Sequence, residues 1–467
     1  MKKKNKNNIK TRTVSDSMGE INIPYDALYG AQTQRAVNNF PISGLKFTDD
    51  FIYSVVLIKK AAAITNYNLK LLKKEQKDAI VKACDSILKG NYNNQFPVDV
   101  YQTGSGTSTN MNCNEVIATI ANKLTKSKSG TIHPNDHVNL GQSSNDVIPT
   151  AIHISSLKMV EELLLPSLKS LEKSISKKSS KFKDVIKIGR THLQDATPIT
   201  IGQEFSGYKE IISKNIKRIN INKSFLSYLA QGGTAVGTGI NTHKDFGKKI
   251  AKEISKFTNI KFIESKNHFE SQSSQDSIVG FSGDLKTLAV GLSKIANDIR
   301  WLGSGPRSGI GELIIPSVQP GSSIMPGKVN PVMCESLIQV CAQVIANDSA
   351  ITLGGLGSIF ELNLMLPLIA NNILYSIKIL SNAINSFNNK LIEDLDVDVE
   401  KCNNYIEGSL AMCTSLAPVI GYDKAAEIAY EAYKKNKTIR EVAKSKKVLS
   451  ESQLDKLLNP RNMIKPK

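Results

Sequence analysis

The chain has 467 residues and a formal net charge of +18, too long for one ordinary core and basic enough at first sight to suggest nucleic acid. The charge is concentrated at the ends, with six Lys or Arg and no acid in residues 1–12 and eleven against three acids in residues 434–467, which leaves only +4 for the long middle. The tails are rich in Lys and Asn without interleaved aromatics, so they read as solvated ends and no nucleic acid is expected, and the lack of any apolar run of about 18 residues excludes a membrane-spanning helix.

Residues 1 to about 48 are polar and punctuated by Gly and Pro, which predicts an irregular arm. Caps at 48–50 then open a helix from Phe51. A second helix ends at Gly90 and carries Ala79, Ile80, Ala83 and Ile87 on one face. These elements make up a first, mainly helical domain at 1–140.

The middle is more strongly periodic. Leu157, Leu164, Leu168, Leu171 and Ile175 recur at threes, fours and sevens, with Pro166 a predicted kink. A second stripe holds Phe205, Tyr208, Ile212, Ile216, Ile219 and Leu226. A third holds Ile278, Phe281, Leu285, Leu288, Leu292, Ile295, Ile299 and Leu302. Two more helices follow, one over about 332–353 and one carrying Ile369, Ile373, Ile377, Leu380, Ile384 and Phe387. A 3–4 alternation suits near-parallel packing, so the fold class is all-α, with a central bundle of five long helices at 141–394. Stripes this apolar also predict packing between copies of the chain, hence a homo-oligomer. After Asp394 the text turns short and polar, and a small helical C-terminal domain is expected at 395–467.

Convincing strands are nearly absent. TGSGT at 103–107 lacks the GK[ST] ending of a phosphate loop, and no GxGxxG follows a strand, so no nucleotide cofactor is expected. His133 and His137 are four apart but flank Pro134, and there is no HExxH, so no metal is expected either. The six cysteines form no CxxC pair and read as reduced core thiols. With no apolar signal region near the start, the expected location is the cytoplasm.

Five polar clusters fall at predicted helix ends. Ser105, Gly106 and Thr107 open one helix; His133, Pro134, Asn135 and Asp136 form a second cluster; Ser143, Ser144 and Asn145 lie in a third. Each sets short hydroxyls and amides beside free helix N–H groups, an arrangement that caps the helix and equally suits a small anion. Thr191 and His192 sit in GRTHLQDATP at 189–198, where the imidazole can serve as acid or base. The last cluster, GSSIMPGKVNP at 321–331, holds two prolines and two glycines and is therefore a loop with exposed N–H groups. Ser322, Ser323, Lys328 and Asn330 can all face one anion there. Many neutral donors with one lysine and one histidine suit a small carboxylate, and the reaction they can assist is proton abstraction beside it.

TGSGTSTNMN, HPND, QSSND, GRTHLQDATP, GGTAVGTG at 232–239 and GSSIMPGKVNP, in this order, resemble the class II fumarases of the aspartase/fumarase superfamily. The resemblance runs from DSMGE at 16–20 to IGYDKAAEIA at 420–429. The nearest rival within it is aspartate ammonia-lyase; His192, Gly327, Ser105 and His133 all favour fumarase. The resemblance implies reversible hydration of fumarate to L-malate without metal or organic cofactor. It also implies a three-domain subunit in a homotetramer whose active sites each draw on three subunits.

Carried onto this chain, the resemblance makes Ser322 the base and His192 the acid at the departing hydroxyl, oriented by Glu335. Ser105, Gly106, Thr107, Ser143, Ser144, Asn145, Thr191, Ser323, Lys328, Val329 and Asn330 would hold the substrate carboxylates. His133, Pro134, Asn135 and Asp136 would form a secondary dicarboxylate site. There the family often has an arginine three residues before the histidine, where this chain has Gly130, with Lys126 and Lys128 as nearby substitutes. A catalytically silent helical bundle with nucleic-acid-binding tails is the alternative from a different class.

Overall fold

The computed structural model of the chain describes residues 10–125 and 132–466. It opens on a hairpin, β1 (Thr11–Asp16) paired antiparallel with β2 (Gly19–Pro24), and then α1 (Ala31–Asn39), where the sequence predicted an irregular arm. The cause is local. Alternate residues of β1 turn to the same side, and Gly19 closes the turn at φ +108°, a conformation that strains any residue with a Cβ. Strands this short and polar carry little hydrophobic alternation, so periodicity alone does not reveal them.

Helix α2 (Asp49–Asn68) starts at the predicted cap, Thr48. α3 (Lys74–Leu88) stops just before Gly90, whose φ of +85° ends it in left-handed geometry. α4 (Thr107–Thr125) follows the TGSGT turn, and α5 (Ser144–Met159) follows QSS. One π-helical turn, Val160–Leu164, joins α5 to α6 (Leu165–Lys181). Pro166 has no N–H to give the carbonyl of Glu162, and the wide turn falls where that bond is missing.

A second hairpin follows, β3 (Ile186–Thr191) with β4 (Gln194–Thr200), where the sequence showed no convincing strand, and α7 (Ile201–Asn222) then carries the second predicted stripe from Phe205 to Ile219. The remaining helices through the middle are α8 (Phe246–Thr258), α9 (His268–Ser273), α10 (Asp276–Leu302), α11 (Val332–Gly355) and α12 (Leu366–Phe387). The long ones match the predicted stripes. Ile278, Phe281, Leu285, Leu288, Leu292, Ile295 and Ile299 of α10 are no more than 1% exposed. Each such side chain contributes roughly 1.5–3 kcal/mol by leaving water. The all-α class therefore stands, with strands confined to two-stranded pieces among the described residues.

Two compact units share these helices. The first comprises residues up to Leu165, Arg218–Thr287 and Gln343–Ile379; in it α2 packs on α3, α4, α5 and α8. The second comprises Pro166–Lys217, Leu288–Ala342 and Leu380–Lys467. Its C-terminal helices close a core of Ile406, Met412, Leu416, Ile428 and Val442, joined by Ile186 of β3.

Candidate active site

In the first unit the polar clusters sit at the N-termini of α4 and α5. Ser105 and Thr107 face each other, hydroxyl to hydroxyl, at 2.8 Å. Gly106 between them has φ +71°, and a Cβ there would come within 3.0 Å of Ile148, so the tight turn and the close helix approach both require glycine. Ser143 caps α5: its Oγ accepts the Asn145 N–H at 3.2 Å while the Asp146 carboxylate accepts the Ser143 N–H at 2.9 Å. The Ser144 hydroxyl accepts from the Asn110 amide at 3.0 Å, and Asn145 donates to the Ala235 carbonyl at 2.8 Å. The fully buried Asp146 also accepts from Gly232 N and Thr234 N, which fixes the GGTAVGTG loop beside it. Burial pushes this carboxyl up to about 6 despite those three N–H donors.

The HPND cluster forms a π-helical turn, Pro134–Val138, capped by His133. Its Nδ1 accepts the amides of Asn135 and Asp136 at 3.3 and 3.1 Å. Lys126, Lys128 and Gly130 lie outside the described residues.

In the second unit Thr191 ends β3, and His192 with Leu193 makes the two-residue turn of the hairpin, at φ +55° and +60°. A two-residue hairpin turn with both φ positive normally uses Asn and Gly. Side chains such as His and Leu held there cost of order 1 kcal/mol each, and strain of this kind concentrates at functional sites. The hairpin is anchored below its exposed tip by a buried ion network. Arg190 makes a two-pronged pair with Glu312, both N···O distances 2.8 Å. Lys187 lies 3.3 Å from Glu312 and 3.2 Å from Glu204. Lys187 and Glu312 are essentially sealed from water, so two cations and two carboxylates balance in a dry space. Burial works against the Arg190 charge, but Glu312 outweighs it and raises the pKa; burial raises Glu204 as well, against the pull of Lys187. His192, Arg190, Tyr208, Lys294, Asp298 and Trp301 line a cavity of about 610 Å³.

The loop at 321–331 is also in the second unit. The Gly321 N–H bonds the Lys328 carbonyl at 2.7 Å, and the Asn330 amide bonds the Gly321 carbonyl at 2.7 Å, drawing the two ends together. A Cβ on Gly321 would lie 2.5 Å from the Lys328 oxygen, and Gly327 has φ +77°, so both glycines are required by the backbone. The Ser322 Oγ accepts two backbone N–H groups, Ile324 at 3.2 Å and Met325 at 3.0 Å. Ser323, Lys328 and Val329 are exposed. Glu335 is exposed in the first turn of α11. Among the described residues it shares no hydrogen bond with His192. Ser322 and His192 line different cavities.

The charges that support these clusters were not read from the sequence. Arg190, Glu312, Lys187 and Glu204 are scattered charges whose pairing only the fold reveals. Lys59 beneath the α5 loop had one usable signal, a lysine flanked at helical spacing by Val55, Val56, Ala62 and Ala63.

The fold and its clusters are those of a lyase: residues 19–346 match the Lyase family and residues 412–465 match the Fumarase C C-terminus family. The chain is 51% identical to "Fumarate hydratase class II" of Wigglesworthia glossinidia brevipalpis, covering 97% of this chain and 98% of that one. It is 47% identical to the protein of that name from Neisseria meningitidis, covering 98% and 100%. A recombinant class II fumarase from Schistosoma mansoni superposes with a TM-score of 0.94 at 39% identity, covering 97% of this chain and 99% of the other. The chain belongs to the class II fumarate hydratase family. Among the described residues no helix is long and apolar enough to cross a membrane.

Proposed function

We propose that this protein hydrates fumarate to L-malate reversibly, with Ser322 as base and His192 as acid. The observation that carries the assignment is the Ser322 hydroxyl facing the N–H groups of Ile324 and Met325. A serine is a poor base because its oxyanion is unstable in water, and two fixed N–H dipoles aimed at that oxygen stabilise it where it forms. In the malate direction the Ser322 oxyanion takes the C3 proton and becomes the hydroxyl, and the C3–H electron pair moves into the adjacent carboxylate as an aci-carboxylate. That pair then returns to form the C2=C3 bond as the C2–O bond breaks, on the opposite face, and His192 gives its proton to the departing hydroxyl, which leaves as water. Glu335 orients His192.

Ser105, Gly106, Thr107, Ser143, Ser144, Asn145, Thr191, Ser323, Lys328, Val329 and Asn330 hold the two carboxylates, and the turn of His133, Pro134, Asn135 and Asp136 provides a secondary dicarboxylate site. The protein is a cytoplasmic homotetramer of three-domain subunits, and each site takes the α4 and α5 loops, His192 and Ser322 from different subunits. Support comes from side chains that one chain leaves uncovered, including Leu353 at 61% exposure, Leu356 at 76% and Phe360 at 89%.

Loss of the fumarate double-bond absorbance on adding purified protein without ammonia tests the activity, and malate must restore it from the other side. Loss that depends on ammonia means an aspartate ammonia-lyase instead.

A further inference from the structure

Lys59 of α2 is 0% exposed, yet among the described residues its ammonium pairs with no carboxylate. It donates to the side-chain oxygens of Asn139 at 2.7 Å and Gln142 at 3.0 Å. Isolated buried cations are costly, and a lysine held between two neutral amides calls for a physical reason.

The surrounding bonds supply one. An ammonium only donates, so it turns both amide oxygens toward itself and both NH2 groups away. The Asn139 NH2 then reaches the Gln142 carbonyl at 3.1 Å, and the Gln142 NH2 reaches the carbonyls of Val138 at 3.1 Å and Leu140 at 3.3 Å. Those bonds shape the turn between the HPND π-helical segment and the cap of α5. Asn139 Oδ1 also accepts from the Asn110 amide at 3.3 Å, and that same NH2 holds Ser144 at 3.0 Å. One buried charge therefore sets the hydrogen-bond polarity of a network that ends on Ser144. It also places a positive charge, attracted to the buried Asp146 carboxyl, behind the two loops assigned to anion binding.

We propose that Lys59 is a positioning residue that raises affinity for the dicarboxylate substrate, by orienting the 139–145 turn and by placing its charge behind that turn. The inference rests on the assignment of Ser143, Ser144 and Asn145 to carboxylate binding. Burial lowers the Lys59 pKa to about 7, opposed by the Asp146 carboxyl of α5, and the Cys113 thiol of α4 and the Cys84 thiol of α3 also neighbour it. Burial keeps both thiols protonated, pushing Cys113 up to about 12 and Cys84 higher still. Nearby Lys60 pairs with Asp85 at 2.7 Å. The ammonium is charged below its pKa, so affinity for a dianion falls as pH rises through neutrality, and a bound dianion draws the proton back onto Lys59.

The test is steady-state kinetics with fumarate between pH 6 and 8.5 on the intact enzyme and on Lys59→Met and Asn139→Asp. Lys59→Met removes the charge. Asn139→Asp keeps the lysine and gives it a carboxylate partner that cancels its charge, and it also removes the Asn139 NH2 bond to the Gln142 carbonyl. Both are expected to raise KM about tenfold at pH 6.5 with kcat within about threefold. Both are also expected to abolish the rise of KM with pH that the unaltered enzyme shows. A purely structural lysine would change the yield or melting temperature and leave the KM profile parallel to that of the unaltered enzyme. The proposal is overturned by a KM within about twofold of the unaltered enzyme in Asn139→Asp, or by an unchanged pH profile in folded Lys59→Met. An unaltered enzyme that does not hydrate fumarate would instead remove the assignment beneath the proposal.

Discussion

The loops heading α4 and α5 and the loop at 321–331 are built from the same materials, hydroxyls, amides and glycine, yet they are held in opposite ways. Ser143, Ser144 and Asn145 are each bonded to a helix end, a buried amide or a neighbouring loop, above a charge sealed from water. The 321–331 loop is drawn together by the Gly321 and Asn330 bonds at its ends and, within it, by the Lys328 N–H bond to the Met325 carbonyl at 3.3 Å, and Ser323 and Lys328 are exposed. In the proposed roles, the first arrangement is a preorganised floor for an anion, and the second fixes two N–H dipoles on the Ser322 oxygen while the Ser323 and Lys328 side chains stay open to substrate.

Substitutions separate the two regions. The largest effect is expected for Ser322→Ala, a kcat loss of about 10³-fold or more, and for His192→Asn, about 10²-fold or more, with KM little changed because both act in the chemical step. Stopped-flow rates on folded protein decide this, and an unchanged kcat removes the assigned role. Next is Glu312→Gln, which strands Arg190 beneath the His192 hairpin and leaves Lys187 with Glu204 alone. It should cost roughly 3–5 kcal/mol of stability in denaturant melts, whereas the double change Arg190→Met with Glu312→Gln recovers much of that. Equal destabilisation by the single and the double variant would mean that the network does not act as a unit. The smallest effect is expected for Gly321→Ala. Its new Cβ would sit against the Lys328 carbonyl, shift the loop by a fraction of an ångström and lower kcat/KM about tenfold, with no change in global stability.

The long helices were legible because burial imposes a 3–4 period on α10 and α12 that nothing else in a sequence imitates. The polar clusters were legible because glycines and short polar residues gather at the turns that open helices. The hairpins were not. β1 and β2 carry a polar face, and β3 reads as a short buried run whose turn, His192–Leu193, uses neither Asn nor Gly. The supporting charges were least legible of all. Glu312 lies 122 positions from Arg190, and Lys59 lies 80 from Asn139, separations that no local pattern spans.

We propose that the loops heading α4 and α5 and the 321–331 loop come from different copies of the chain to build one dicarboxylate site. Mixing Ser322→Ala with His192→Asn enzyme, dissociating the mixture and letting it reassociate tests this most directly. Some sites in the mixed assemblies would then receive an intact Ser322 and an intact His192 from different chains, and the account predicts fumarate hydration well above the sum of the two parents. Activity no greater than that sum, in mixed assemblies shown to have formed, would contradict it.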